Sequence, residues 1–198
     1  MKQKYITAMV VVGLLLITSS GQFLQSTEKF SKRPAEWAQP VAKPGAPNLF
    51  KVSEALYRGA QPTGQGMAEL KKMGIKTIIN LRSFHSDNDE MVIEDANFKY
   101  IHIYMKAWHP EDEEVVRFLK DITDKQNHPV FVHCMHGADR TGTMCAIYRM
   151  AVMGWSRDRA LEEMIMGGFG YHPAWDQYIL PYLKTLDIDK IKKEAGIK

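Results

Sequence analysis

His133-Cys134-Met135-His136-Gly137-Ala138-Asp139-Arg140-Thr141-Gly142 lies between an apolar run of strand character, Pro129-Val130-Phe131-Val132, and a helix-like run that begins at Thr141. A cysteine and an arginine separated by five residues, on the turn from a strand into a helix, form the layout needed to bind and attack a phosphate ester. The backbone N–H groups of such a turn converge on one point and make a nest for a dianion. The same positive potential favours the thiolate, the nucleophilic form of Cys134. Arg140 closes the turn and can hold two equatorial oxygens at once, which a lysine cannot do. Gly137 suits a position that needs positive φ or a close backbone approach.

The pattern His-Cys-x-x-Gly-x-x-Arg-Thr-Gly resembles the signature of the cysteine-dependent protein phosphatases of tyrosine and dual-specificity type. Leu56-Tyr57-Arg58-Gly59-Ala60-Gln61-Pro62 and Gly74-Ile75-Lys76-Thr77-Ile78-Ile79-Asn80-Leu81-Arg82 are similar to the opening of small atypical members from plants, fungi and bacteria. The likeness covers residues 50–185. A rhodanese-type sulfurtransferase also cradles anions in a Cys loop, but His133 and Arg140-Thr141-Gly142 fit the phosphatase pattern better.

The resemblance implies a cysteinyl-phosphate intermediate formed on Cys134, with no metal or organic cofactor. It also implies a phosphate cradle made by Met135, His136, Gly137, Ala138, Asp139 and Arg140. Thr141 would stabilise the departing thiolate, or serve as a helix N-cap, or both. His133 would fix the loop through its ring nitrogens, or simply pack at the end of its strand. His133-Cys134-x-His136 hints at a metal, but no second ligand cluster accompanies it.

The general acid is the open position. Dual-specificity phosphatases carry an Asp after the strand that here ends near Met105, where this chain has Lys106-Ala107-Trp108-His109-Pro110. Asp112 or Glu111 could replace it from a closing loop, although acids in a first helical turn are also explained by the macrodipole. Asp139 is the alternative, and is narrowly favoured. An Asp directly before the Arg resembles the loop of myotubularin-type lipid phosphatases, where it has acid duty, and a dianion beside it would hold it protonated. The competing reading has Asp139 facing outward to anchor a neighbouring loop.

Around this centre the pattern predicts an α/β domain: a central, mostly parallel sheet flanked by helices, protein-tyrosine-phosphatase-like, with a C-terminal helical cluster. Strands are expected near Leu56-Tyr57, 76–81, 98–105 and 129–133. Helices are expected over 67–73, 89–96, 111–125, 141–153, 157–166 and 174–186. In the 111–125 helix, Val115, Phe118, Leu119 and Ile122 share one face. Arg58 and Arg82 end strand-like runs and are placed to line the mouth of the site. Trp108 and His109 are candidates for one wall of it. Phe169, Tyr171 and His172 follow the glycine-rich end of a helix and can approach the Cys loop.

The 198 residues, 45% hydrophobic, suffice for one core. Lys2 and Lys4 precede an apolar stretch, Ile6 to Ile17, and then Thr18-Ser19-Ser20-Gly21, the layout of a secretory signal. Residues 1–21 therefore read as a signal peptide, or as an uncleaved anchor, and the protein as exported, into a periplasm. Pro34, Pro40, Pro44 and Pro47 make 22–49 read as an extended arm, with the phosphatase domain over 50–198. Without residues 1–21, which hold two of the 26 basic residues and no acids, the balance against 23 acidic residues is +1. That is no footprint for nucleic acid, and a membrane enters only if the N-terminal segment stays attached. The partner is a phosphorylated protein or a small phosphate ester. Absence of a lysine in the loop weighs against, without removing, inositol phosphates or phosphoinositides, and a non-catalytic phosphopeptide-binding module is the rival class. Of the two cysteines, Cys145 falls among Met144, Ala146 and Ile147 and reads as packing, with a resolving thiol as the alternative.

Overall fold

Thr77–Asn80 and Val130–His133 are buried at every position, as strands covered on both faces must be. A computed structural model of the chain describes residues 33–83 and 97–198. The chain divides into Met1–Glu36 and Trp37–Lys198, and the architecture that follows is that of the second unit. The expected signal segment and the expected helix over 89–96 lie outside the described residues.

Six strands form one sheet: β1 (Gln39–Pro40), β2 (Phe50–Lys51), β3 (Leu56–Gly59), β4 (Thr77–Asn80), β5 (Lys99–His102) and β6 (Val130–His133), in the order β1-β2-β3-β6-β4-β5. The four from β3 to β5 in that order are parallel, and β1 and β2 add an antiparallel edge. His133 pairs with Gly59 on one side and Asn80 on the other, so three strands end at the same height. Loops leaving these ends meet outside the carboxyl edge of the sheet, where open α/β sheets place their ligands.

Among the described residues, α1 (Gly64–Lys72) is the helix that covers one face of the sheet. Its Met67 and Leu70 pack with Ile75, Ile78 and Phe131. Thr63 caps it by accepting from Gly66 N–H, and Gly74 ends it at φ +80°. The other face carries α2 (Asp112–Thr123), α3 (Asp139–Ala151), α4 (Arg157–Met166), α5 (Asp176–Thr185) and α6 (Ile188–Ala195). Val115, Phe118, Leu119 and Ile122 of α2 are all buried, as their spacing requires. The α3 helix is buried over almost its whole length and is the axis of the larger core.

Two expectations are corrected. Residues 37–49 are not a free arm: Gln39–Pro40 pairs with β2, and Ala38, Ala46 and Leu49 are buried. The folded unit therefore starts near Trp37 rather than at residue 50. The C-terminal helical run is also longer than predicted. A 3-10 turn at Pro173–Trp175 precedes α5, and α6 follows, capped by Asp187 at its start and by Gly196 in the left-handed conformation at its end.

Candidate active site

Cys134 sits at the foot of the loop between β6 and α3, and only 3% of it is exposed. Three donors from outside the loop hold three successive loop carbonyls. Gln61 N–H donates to Met135 O at 3.1 Å, Asn48 Nδ2 to His136 O at 2.9 Å, and Arg58 Nη2 to Gly137 O at 2.6 Å. In a planar trans peptide the C=O and the following N–H point in opposite directions. Holding those carbonyls away from the loop centre therefore turns the amides of His136, Gly137 and Ala138 toward it. The first helical bond of α3 is Gly142 N–H to Ala138 O at 2.8 Å, so the amides at the head of the helix are available to an anion as well.

Gly137 is required twice over. Its φ is +69°, and a Cβ there would lie 2.4 Å from both the carbonyl carbon and the oxygen of Gly59. The loop thus rests directly on the end of β3.

Arg58 does not line the mouth of the site, as its position at a strand end suggested. It is 2% exposed and lies beneath the loop, with its guanidinium 3.8 Å from the centre of the Phe169 ring. Burial lowers its pKa from the ordinary value, against the opposing influence of Cys145, Glu163 and Cys134. His133 stacks on Phe131 at 5.5 Å, and its Nδ1 donates to the Cys134 carbonyl at 3.2 Å, consistent with a ring that fixes the start of the loop. Thr141 is fully buried, and its hydroxyl has no hydrogen-bond partner among the described residues.

Arg140 is anchored through one nitrogen. Its Nη1 reaches Leu81 O and Ser83 Oγ at 3.4 Å and Met105 O at 3.5 Å, at the ends of β4 and β5. Those long contacts orient the fork and leave Nε and Nη2 for two oxygens of a bound phosphate. Beside it opens a cleft of about 320 Å³ lined by Arg82, Ser83, Ala107, Trp108, Met135, Arg140 and Trp175. Trp108, half exposed, stacks against Trp175 at 6.4 Å and forms the expected wall, while His109 turns away toward Glu111. Arg82 is held by Gln61 Oε1 at 2.9 Å.

The candidate acids fall into two places. Asp112 is bound by Tyr182 Oη at 3.0 Å and Lys190 Nζ at 2.8 Å; the Lys190 contact, above all, lowers its pKa. Glu111 forms a capping box with Glu114. Both therefore tie α2 to itself or to the C-terminal helices, and neither lines the cleft. Asp139 stays at the loop, but both its oxygens accept from His172: Oδ1 from the backbone N–H at 3.0 Å and Oδ2 from Nδ1 at 2.8 Å. Cys145 is buried, and burial pushes its thiol up to about 11, which disfavours a resolving thiolate and fits packing.

Sequence reasoning missed Asn48, Gln61 and the Asp139–His172 pair. Gln61 and Asp139 stood within stretches that carried the family likeness, but nothing there showed their partners, and nothing in the 37–49 segment marked Asn48 apart from an ordinary turn.

A buried Cys at the base of an amide-lined loop, closed by an oriented Arg at the carboxyl edge of a parallel sheet, defines a cysteine-dependent phosphatase. The sequence model of the family described as "DSP-PTPase phosphatase fused to NAD+ Kinase" matches residues 40–173, and the chain belongs to that family. It is 36% identical over 183 residues to the dual specificity protein phosphatase TpbA of Pseudomonas aeruginosa, covering 92% of this chain and 80% of that one. The crystal structure of TpbA superposes with a TM-score of 0.72 at 33% identity, over 83% of this chain and 99% of the other. A cysteine-to-serine form of TpbA in complex with phosphotyrosine matches equally well, at 32% identity and TM-score 0.72 over the same shares of the two chains. The catalytic core of the PP-IP phosphatase SIW14 from S. cerevisiae shares the fold, with a TM-score of 0.67 at 20% identity over 78% of this chain and 94% of the other.

Proposed function

We propose that the chain hydrolyses phosphomonoesters as a tyrosine/dual-specificity phosphatase, with Cys134 as nucleophile. Cys134 Sγ attacks phosphorus in line, the ester oxygen leaves, and water then releases phosphate from the phosphocysteine. Arg140 and the loop amides stabilise the charge on the equatorial oxygens in both steps. The observation that carries this reading is the set of three carbonyls, from Met135 to Gly137, held outward over a buried Cys134. An aryl phosphate suits the cleft, because Trp108 and Trp175 offer flat apolar surface beside Arg140. Thr141, with a buried hydroxyl otherwise unused, stabilises the thiolate as it is regenerated.

The N-terminal pattern of Lys2, Lys4 and the apolar run to Ile17 supports export and action outside the cytoplasm. Cell fractionation with and without residues 1–21 tests that point: a chain that stays cytoplasmic in both forms overturns it.

Phosphate release under reducing conditions tests the function, with p-nitrophenyl phosphate, phosphotyrosine and phosphoserine peptides, and inositol phosphates as substrates. The expected result is turnover, highest on aryl phosphates and abolished in Cys134→Ser. Preference for inositol phosphates would move the substrate class. Phosphate binding without turnover on any of them would make the protein a binding module.

A further inference from the structure

None of the described residues that line the cleft is an Asp or a Glu. A poor leaving group such as the serine alkoxide needs a proton as the P–O bond breaks. The titratable groups at the loop rim are His136, Asp139 and His172. Asp139 stands directly before Arg140 and is largely buried, with its side chain 11% exposed. A carboxylate that accepts the His172 backbone N–H and Nδ1–H at once has both oxygens engaged and presents no proton outward. His172 is different: its side chain is half exposed, and the ring nitrogen that meets Asp139 is Nδ1. Its ring meets His136, a loop residue, edge to face at 5.8 Å. Three residues further on, Trp175 lines the cleft. The half-exposed imidazole is therefore tethered to the phosphate loop at Nδ1, which leaves Nε2 as the nitrogen available for proton transfer.

We infer that His172 is the general acid, and that Asp139 is a positioning residue that fixes its ring and tautomer. This inference rests on the phosphatase reading above. As Cys134 Sγ bonds to phosphorus, the imidazolium Nε2–H passes to the bridging ester oxygen and the alcohol leaves. In the second step neutral Nε2 takes a proton from the attacking water, the S–P bond breaks, and phosphate and the Cys134 thiolate are released. No co-reactant beyond water is needed. The favoured sequence expectation, Asp139 as donor, is replaced because its oxygens act as acceptors.

Among the described residues, the titratable groups that meet the His172 ring are Asp139 at the head of α3 and His136 in the loop. Burial first, and then Asp176 and Asp139, raise the pKa of the neighbouring Tyr171. A general acid must carry its proton in the first step, so its contribution on poor leaving groups belongs to the basic side of the pH profile.

The test compares wild type, His172→Gln and Asp139→Asn on p-nitrophenyl phosphate, phenyl phosphate and a phosphoserine peptide, across pH 5–9. For His172→Gln the expected loss in kcat is about 10²-fold or more on phenyl phosphate and the peptide, the usual worth of a general acid. On p-nitrophenyl phosphate, whose leaving group needs little protonation, the loss is much smaller, and the basic limb of the pH profile disappears on poor leaving groups. Asp139→Asn retains part of that limb. Vanadate affinity measured alongside shows whether the loop survives each change. An equal loss on all three substrates, or none on any, overturns the assignment while leaving Cys134 chemistry standing. No turnover by wild type on p-nitrophenyl phosphate overturns the phosphatase reading itself.

Discussion

Arg58 Nη2 donates to the Gly137 carbonyl at 2.6 Å from beneath the Cys134 loop, 79 positions away in sequence. One buried cation thus supports the backbone of the turn that holds the phosphate. Arg58→Met keeps the volume and stacking against Phe169 but removes that donor, leaving the Gly137 peptide free to rotate its N–H out of the nest. A misplacement of ~1 Å in such a site costs about 10²-fold in rate. The expected outcome is a loss of that order in kcat/KM with weaker vanadate binding, and Arg58→Lys should recover only a part, because a single ammonium lacks the fork. Unchanged kinetics in Arg58→Met would falsify the supporting role.

Gly137→Ala should be more severe. Left-handed backbone is strained for alanine by about 1–3 kcal/mol, and here the new methyl group meets the Gly59 carbonyl carbon and oxygen at 2.4 Å. Because backbone cannot give way as a side-chain tip can, the loop must lift off β3. Activity is expected to drop below a hundredth of wild type, with a lower melting temperature measured by calorimetry.

The loop was legible because its signals are local: an apolar strand, a glycine and a helix start within about a dozen residues. The centre of the parallel sheet was legible for the same reason, β4 and β6 being short β-branched or apolar runs. What escaped were relations between distant residues. Asn48 reaches His136 and Phe169 across 88 and 121 positions, and four prolines nearby made its segment look unstructured. Arg58 read as a strand-end residue lining the mouth of the site because nothing in its neighbours reveals a buried carbonyl waiting for it. Asp139 had two readings in sequence, and only its 33-residue partnership with His172 separates them. Helix α6 has just eight residues, too short for its periodicity to stand out beside the lysines that fill its outer face.

Trp108 gives the cleft its wall, and an aromatic contact of this kind is worth about 0.5–1.5 kcal/mol. Trp108→Ala should therefore raise KM for a phosphotyrosine peptide by roughly two- to tenfold. KM for the matching phosphoserine peptide should stay within experimental scatter, since its side chain has no ring to lose contact. Equal changes for both peptides would place the phosphotyrosine ring elsewhere.

Glu114 links the fold to pH. Burial raises its carboxyl to about 7 from an ordinary 4.5. The folded state therefore holds a proton that the unfolded chain has released, and the stability this contributes is full below about 4.5 and lost as pH rises through about 7. Glu114→Gln keeps an oxygen to accept the Glu111 N–H at 3.1 Å and cannot ionise. Melting temperatures of the two proteins should coincide near pH 4 and separate by pH 8, with the variant higher. Asp112, whose pKa is lowered, titrates below this window and does not mask the effect.

Arg149 and Glu163 form a buried two-point ion pair, Nε to Oε2 and Nη2 to Oε1, each at 2.7 Å. Glu163 Oε1 also accepts the Ala38 N–H, so the pair fastens the start of the folded unit to α3 and α4. Removing one partner leaves a buried charge uncompensated, at a cost of about 3–5 kcal/mol, whereas replacing both with apolar groups is often neutral. Here the orphaned Ala38 N–H adds about 1–3 kcal/mol to the second case. Denaturant unfolding should thus rank wild type above Arg149→Met/Glu163→Leu, and that double variant above Glu163→Ala. Were the double variant the least stable of the three, direct attraction between the charges, rather than the penalty of stranding one of them, would be the dominant contribution at this site.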